Sequence, residues 1–146
     1  TASVGSATTA TGDGKVGAPR VVVSIAEDSG GEIVRYMLRA AQIRQSQAQL
    51  RFEGRCDSAC TLFLSLPAEQ VCVTPAALFR FHLPIADSPA IVEEARDILM
   101  MTYPDWVVSW IAAHDGLTQD LMVMDYAYAS RFIKPCDRPI KAAKVS

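Results

Sequence analysis

The apolar positions near the start of the chain predict a buried strand followed by an amphipathic helix. Residues 21–25, VVVSI, form a run rich in β-branched side chains, which is typical of a strand buried on both faces. Helical spacing follows to about Ala48, and Ser29 and Glu32 have the spacing of a capping box at the helix start. We expect Ile33, Val34, Met37, Leu38 and Ala41 to face the core, and Arg35, Arg39, Gln42 and Arg44 to face solvent.

The middle of the chain continues this alternation of strands and helices. In order, the pattern predicts a strand at 50–53 ended by Gly54, a helix from Ser58 with its apolar part at 61–66, and strands at 70–73 and 77–81. Asp57 stands where it can cap the helix, and Pro67 ends it. This order of elements predicts an α/β domain with right-handed crossovers.

The last part of the chain carries helical patterns. Helix starts are predicted at Ser88 with Pro89, after Pro104, and at Thr118, the last helix running through Leu121 and Met122. Residues 1–19 have no periodicity and predict a flexible N-terminal arm. We therefore expect one domain over residues 20–146, ending in a basic, solvated tail from Lys134 onward.

Composition excludes several classes of function. The chain has 146 residues, of which 50% are apolar and 21% charged, so most of it is expected to fold. A net charge of −2 without a basic stripe argues against nucleic-acid binding. No apolar run approaches the length of a transmembrane segment, so none is expected. The opening TASVGSATTATGDG, rich in small residues, suits a processed N-terminus or a trimmed chain.

Ser58 and His82 are the candidate catalytic pair. A serine hydroxyl needs a base to become nucleophilic, and the start of a helix offers unpaired N–H groups to developing negative charge. A histidine at a strand end can act as that base. Structural roles also fit these residues, because serine is a favoured helix cap and a strand-end histidine can simply be hydrogen-bonded. His114, at the end of a helix, has a sufficient structural explanation.

Gly30 and Gly31 lie between the first strand and the first helix, where glycine lets the backbone approach a ligand closely. An N–H of this turn and that of Ala59 could form an oxyanion hole. Neither glycine-rich nucleotide motif occurs, so no cofactor is expected. Cys56 and Cys60 have a spacing usable by zinc, but no second ligand pair follows, so we expect no metal site.

The order of these features resembles the Clp protease proteolytic-subunit family, within the Clp/crotonase superfold. The matching segments, which span about 21–133, are Ser29-Gly30-Gly31, Asp57-Ser58-Ala59-Cys60, Val71-Cys72-Val73-Thr74-Pro75, Arg80-Phe81-His82-Leu83-Pro84 and Ala95-Arg96-Asp97-Ile98-Leu99. The whole pattern is similar to a set of bacterial proteins described as predicted periplasmic Clp-like proteins. The resemblance implies a spiral of βαβ units with a helical C-terminal part.

For function, the resemblance implies a small exported serine peptidase acting on short or unfolded peptides. Ser58 would be the nucleophile and His82 the general base, with oxyanion N–H groups from Gly31 and Ala59. The family also uses an aspartate to orient the histidine; Asp125 is the first candidate and Asp120 the second. A homo-oligomer is compatible with the resemblance. A double-ring assembly is not expected, because Pro104 interrupts the helix through which the family's rings meet. An AAA+ unfoldase partner is not expected either, because an exported protein would act in a compartment without ATP.

The four cysteines allow two disulfides in any of three connectivities, or four buried thiols. The resemblance to exported proteins favours disulfides, and the pairs we predict are Cys60 with Cys72 and Cys56 with Cys136. A periplasmic or secreted location follows from the same resemblance.

Other classes of function remain open at this point. A Clp-like module that has lost its triad would act in binding or scaffolding. A crotonase-like acyl transferase would use the same glycine turn, although no acyl-CoA pocket signature is visible. A Ser–Lys dyad is disfavoured, because no lysine occurs between Lys15 and Lys134.

Overall fold

The computed structural model describes residues 2–7 and 20–137. Its strands are β1 (Ala2–Ala7), β2 (Arg20–Asp28), β3 (Gln49–Asp57), β4 (Val71–Val73), β5 (Leu78–Phe81) and β6 (Met122–Asp125). Its α-helices are α1 (Ile33–Ser46), α2 (Pro89–Thr102), α3 (Asp105–Ala113) and α4 (Tyr126–Ala129). Two 3₁₀ helices, Ser58–Ser65 and Ala68–Gln70, lie between β3 and β4. The predicted mixed α/β class is confirmed.

One mixed sheet organises these elements, in the order β1-β2-β3-β5-β6. β2, β3, β4 and β5 run parallel, while β1 and β6 are antiparallel to their neighbours. β3 has two partners on one side, because residues 50–52 pair with β4 and residues 55–57 pair with β5. The parallel strands therefore all end at the same edge of the sheet.

β3 is longer than predicted, because Gly54 lies inside it rather than at its end. The register between β2 and β3 shifts between Ile25 and Glu27, and the two backbones approach closely at this shift. A Cβ atom on Gly54 would lie 1.9 Å from the carbonyl oxygen of Ala26, so only glycine fits. Pairing with β2 resumes after the shift, with Glu27 level with Arg55 and Asp28 level with Cys56.

Helix α1 buries a different face from the predicted one. Tyr36, Ala40 and Ile43 are buried, whereas Val34 is 65% exposed and Leu38 is 61% exposed. The capping box is also wrong, since Glu32 is the N-cap residue and makes no side-chain capping bond. The orientation follows from Tyr36, whose ring packs on Phe63 of the 3₁₀ helix with centroids 5.6 Å apart.

The C-terminal part confirms two predicted helix starts and overturns the third. Ser88 caps α2 by accepting a hydrogen bond from the N–H of Ala90 at 3.1 Å, and α3 begins after Pro104. The helix predicted from Thr118 is wrong, because Met122–Asp125 form strand β6 instead. β6 pairs antiparallel with β5 and buries Met124, so its backbone bonds are satisfied by the sheet.

The chain ends differ from expectation where they are described. Residues 2–7 form β1, so the prediction of an unstructured arm is wrong for them. Residues 134–136 join the sheet, since the N–H of Val73 donates to Lys134 O at 3.0 Å and the N–H of Cys136 donates to Val73 O at 2.9 Å. The remaining calls on 1–19 and on the tail beyond Asp137 lie outside the described residues. No helix in the described part of the chain is long and apolar enough to cross a membrane.

Both predicted disulfide pairings are wrong, although all four cysteines are in disulfides. The bonds join Cys56 to Cys60 and Cys72 to Cys136, with Cα atoms 5.3 and 4.7 Å apart. Cys136 lies beside Val73, which is level with Phe52, four residues before Cys56 on β3. Four residues of strand span about 13 Å, so Cys136 does not reach Cys56, its predicted partner. Cys72 instead meets the C-terminal segment that pairs with Val73.

Candidate functional site

The three predicted catalytic segments meet at the carboxyl edge of the sheet. Asp28 of β2 is level with Cys56 of β3, and Asp57 is level with Arg80 of β5. The Gly30 and Gly31 turn, Ser58 and His82 follow the ends of these three strands. In open α/β sheets, sites commonly form beyond the carboxyl ends of parallel strands. The topology therefore brings together residues that are far apart in sequence.

Ser58 occupies a constrained backbone position. Its φ of 56° lies in the left-handed region, which costs a residue other than glycine about 1–3 kcal/mol. The disulfide between Cys56 and Cys60 closes a short loop with Ser58 at its centre. The carbonyl oxygen of Ser58 accepts a hydrogen bond from the hydroxyl of Thr61 at 2.6 Å. These bonds hold a half-buried serine in a conformation that it would not adopt alone.

Gly30 brings the glycine turn into contact with the serine turn. A Cβ atom on Gly30 would lie 2.6 Å from Asp57 O, 2.9 Å from Ser58 Cβ and 3.1 Å from the nitrogen of Ala59. Its φ of 86° is also unfavourable for other residues. No side chain fits there, so the backbone of the glycine turn packs directly on the Ser58 turn. The predicted oxyanion residues, Gly31 and Ala59, each adjoin this contact.

His82 is held by its own neighbour. Its Nδ1 lies 2.6 Å from the carbonyl oxygen of Leu83. Because a carbonyl oxygen only accepts, Nδ1 carries the proton in this bond and Nε2 keeps its lone pair. That tautomer is the one a general base requires. Among the described residues, no hydrogen bond joins Ser58 to His82.

Asp125 does not orient His82, which corrects the first-choice triad assignment. Asp125 lies level with Leu78, four residues before His82 on β5, a distance of about 13 Å along the strand. Its carboxylate caps α4 instead, accepting from the N–H of Tyr128 at 3.1 Å. The antiparallel register of β6, which the sequence did not predict, puts Asp125 at the wrong end of β5.

Asp120, the second candidate, lies in the segment that passes beside His82. The N–H of Leu83 donates to Thr118 O at 2.6 Å, and the N–H of Asp120 donates to the hydroxyl of Thr118 at 3.1 Å. The Asp120 side chain is exposed. His82 therefore has a backbone carbonyl as its present partner, and the carboxylate of Asp120 belongs to the adjoining loop.

Asp57 was predicted to cap the helix, but its side chain makes no capping bond. Two arginines bind it instead. Nε and Nη2 of Arg80 donate to its two carboxylate oxygens, both at 2.7 Å, and Arg55 also donates to it. Burial alone would raise the pKa of Asp57, but the hydrogen bonds and charges of Arg80 and then Arg55 hold it below the usual value. Glu27 binds the other side of Arg55 at 2.6 Å.

The clamp connects the two segments that carry the predicted catalytic pair. Asp57 directly precedes Ser58, and Arg80 is two residues before His82, so the bidentate bond ties the strand before Ser58 to the strand before His82. Apolar periodicity alone did not indicate this role of Arg80. Charged residues at 55 and 57 on one strand and at 80 on the next were the available signal, because opposite charges on neighbouring strands pair.

Comparisons with known proteins give little further information. No protein-family model matches the chain, and no curated protein matches it significantly. Among solved structures, the chain is similar to a peptidase from Plasmodium falciparum, with a TM-score of 0.45 and 11% sequence identity. The alignment covers 73% of this chain and 65%, just under two thirds, of that chain. A likeness of this size carries neither the name nor the activity of that protein over to this one.

Proposed function

We propose that this protein is a serine hydrolase in which Ser58 is the nucleophile and His82 the general base. The observation that carries the proposal is the contact of the Gly30 backbone with the Ser58 turn. This contact lies at the sheet edge where β5 ends and His82 follows it. A strained serine beside a glycine turn and a base of the right tautomer is the arrangement that acyl transfer uses.

The chemistry follows from the groups at this edge. Ser58 Oγ attacks the carbonyl carbon of the substrate while its proton passes to Nε2 of His82, which must close the remaining distance as substrate binds. The N–H groups of Gly31 and Ala59 stabilise the oxyanion, and the imidazolium then protonates the leaving amine. Water hydrolyses the acyl-serine by the same steps, and Ser58 recovers its proton. Nδ1 stays bonded to Leu83 O throughout.

The class of hydrolase we propose is an exported, Clp-like peptidase with the crotonase-type spiral of βαβ units. The sequence segments that resemble the Clp family support it, together with parallel strands that end at one site. Two disulfides support an oxidising compartment, such as the periplasm or the extracellular space. The proposed substrates are short or unfolded peptides. Self-association through the exposed apolar face of α1 is compatible with this class of hydrolase.

Labelling with an alkyl fluorophosphonate tests the proposal. Ser58 Oγ would form a bond to phosphorus, fluoride would leave, and His82 would take the serine proton. We expect the wild type to be labelled at Ser58, while Ser58→Ala is not labelled and His82→Ala is labelled at least 100-fold more slowly. Ser65→Ala is the control, since Ser65 lies in the same 3₁₀ helix but at its other end. An unlabelled wild type, or equal labelling of Ser58→Ala, contradicts a serine hydrolase.

A binding or scaffolding module is the second candidate. The observation that favours it is the carbonyl partner of His82, because a triad normally supplies a carboxylate there. In that case the protein would bind unfolded peptides without cleaving them. Peptide binding measured by fluorescence anisotropy, with no fluorophosphonate labelling, would support this candidate over the hydrolase.

A further inference from the structure

Asp28 is a buried carboxylate whose position stability alone does not explain. It ends β2 and is 2% exposed. Its Oδ1 accepts two hydrogen bonds, from the N–H of Gly30 at 2.9 Å and from the hydroxyl of Tyr36 at 2.6 Å. Its Oδ2 is buried and has no hydrogen-bond partner among the described residues. A buried carboxylate oxygen without a hydrogen-bond partner destabilises the folded state. Stability therefore does not explain why Asp28 is at this position.

Asp28 and Tyr36 support the glycine turn from beneath. The bond from Asp28 fixes the N–H of Gly30, the residue that packs on the Ser58 turn. The ring of Tyr36 lies against the next residue, Gly31, because a Cβ atom on Gly31 would be 3.3 Å from Cε1 of Tyr36. The same ring packs on Phe63, in the 3₁₀ helix that begins at Ser58. Tyr36 therefore lies between the glycine turn and the 3₁₀ helix that begins at Ser58.

We propose that Asp28, held by Tyr36, is a positioning residue that sets the direction of the oxyanion-binding N–H of Gly31. The inference rests on the proposed serine hydrolase and deepens it. Two consecutive glycines are the most flexible dipeptide in a chain, so an unrestrained turn would spend little time in the productive geometry. Oxyanion stabilisation depends on donors that are oriented before the reaction begins.

The role of Asp28 is geometric rather than electrostatic. Its negative charge lies behind the turn and would oppose the developing oxyanion, so the charge itself does not help the reaction. What matters is an acceptor at the place of Oδ1. Burial and the bond to Asp28 raise the pKa of Tyr36 to about 12, so its hydroxyl remains a donor at neutral pH. An asparagine at position 28 would keep the acceptor and lose the charge.

The test compares rates of Ser58 labelling by an alkyl fluorophosphonate in four variants. We expect Asp28→Ala to slow labelling at least tenfold, Tyr36→Phe to slow it about threefold, and Asp28→Asn to stay within about twofold of wild type. Gln70→Ala is the matched control. Gln70 is also buried, and its side chain donates to Ile43 O at 2.8 Å and Ala48 O at 3.0 Å, at the far end of α1. It should lower the melting temperature without changing the labelling rate.

Hydrogen exchange at the Gly30 amide separates this inference from the proposed function. Exchange should rise at least tenfold in Asp28→Ala and not in Gln70→Ala. Labelling of Asp28→Ala at the wild-type rate, or equal slowing in Asp28→Asn, overturns the positioning role while leaving the hydrolase standing. A wild type that is not labelled overturns both. If Asp28→Ala does not fold, wild-type labelling of Tyr36→Phe overturns the inference on its own.

Discussion

The segments around Ser58 and His82, the proposed nucleophile and base, are held with very different strength. The serine turn is fixed by a disulfide around it, by two arginines on Asp57 and by the backbone of Gly30 packed against it. Within the described residues, the ring of His82 makes one hydrogen bond, to the adjacent carbonyl of Leu83. Ser58 is strained and needs many restraints, because its φ of 56° is unfavourable without them. As the proposed base, His82 needs only the correct tautomer, which one carbonyl supplies.

This difference predicts where mutations will act. Changes around Ser58 should affect stability and activity together, since the same contacts hold the fold and the strained turn. Changes around His82 should affect activity with little cost in stability. Variants at the disulfides, at Gly30, at Asp57 and at the two aspartates near β6 test that contrast.

The two disulfides should rank in opposite order for stability and for the reactivity of Ser58. Removing Cys72–Cys136 with two alanines opens a loop with a sequence separation of 64 residues and should cost about 4 kcal/mol. Removing Cys56–Cys60 opens a separation of only 4 residues and should cost about 2 kcal/mol. Labelling of Ser58 should nevertheless slow at least tenfold only in the variant that lacks the Cys56–Cys60 disulfide. Guanidinium unfolding and fluorophosphonate rates measure the two effects, and equal labelling in both variants would contradict a disulfide that restrains Ser58.

Gly30→Ala should cost more stability than the same change at a matched glycine. Gly30 and Gly116 have nearly equal φ values of 86° and 85°, but only Gly30 has atoms within contact of the added Cβ. Gly116→Ala should therefore cost about 1 kcal/mol, for the backbone alone. Gly30→Ala should cost about 3 kcal/mol and abolish labelling, because the new methyl group forces the two turns apart. Similar losses for both variants, measured by urea unfolding, would mean that the turns are not in contact.

Asp57→Asn should destabilise the protein by about 2 kcal/mol at pH 7, through loss of its charged bonds with Arg80. The folded-state pKa of Asp57 is lowered, so its stabilising effect is present above the unfolded pKa of about 3.9 and is lost as pH falls through the folded value. The difference between variant and wild type should therefore shrink below pH 4. Urea unfolding at pH 7 and pH 3 measures it. The exposed Glu93→Gln, which loses an ion pair with Arg96, is the control and should change little.

The sequence predicted where Ser58, His82 and the glycine turn lie in the fold better than it predicted the residues that contact them. Ser58, His82 and the glycine turn each follow a strand with a clear apolar pattern, and parallel strands necessarily end on the same side. The disulfides, Asp125 and Arg80 depend instead on register. Cys136 is remote from Cys56, its predicted partner, because it lies beside β4, which pairs with the first half of β3. Apolar patterns indicate that strands exist, but not which residues on neighbouring strands lie level.

The smallest predicted effects concern the two aspartates near β6. If the Leu83 carbonyl holds His82, Asp120→Asn should change the labelling rate less than threefold. Asp125→Ala should lose the α4 cap, cost about 1 kcal/mol and leave the rate unchanged. A slowing of more than tenfold in Asp120→Asn would show that Asp120 closes onto His82 during the reaction. His82 would then depend on a restraint formed only as the site closes, in contrast to Ser58, which is restrained in advance.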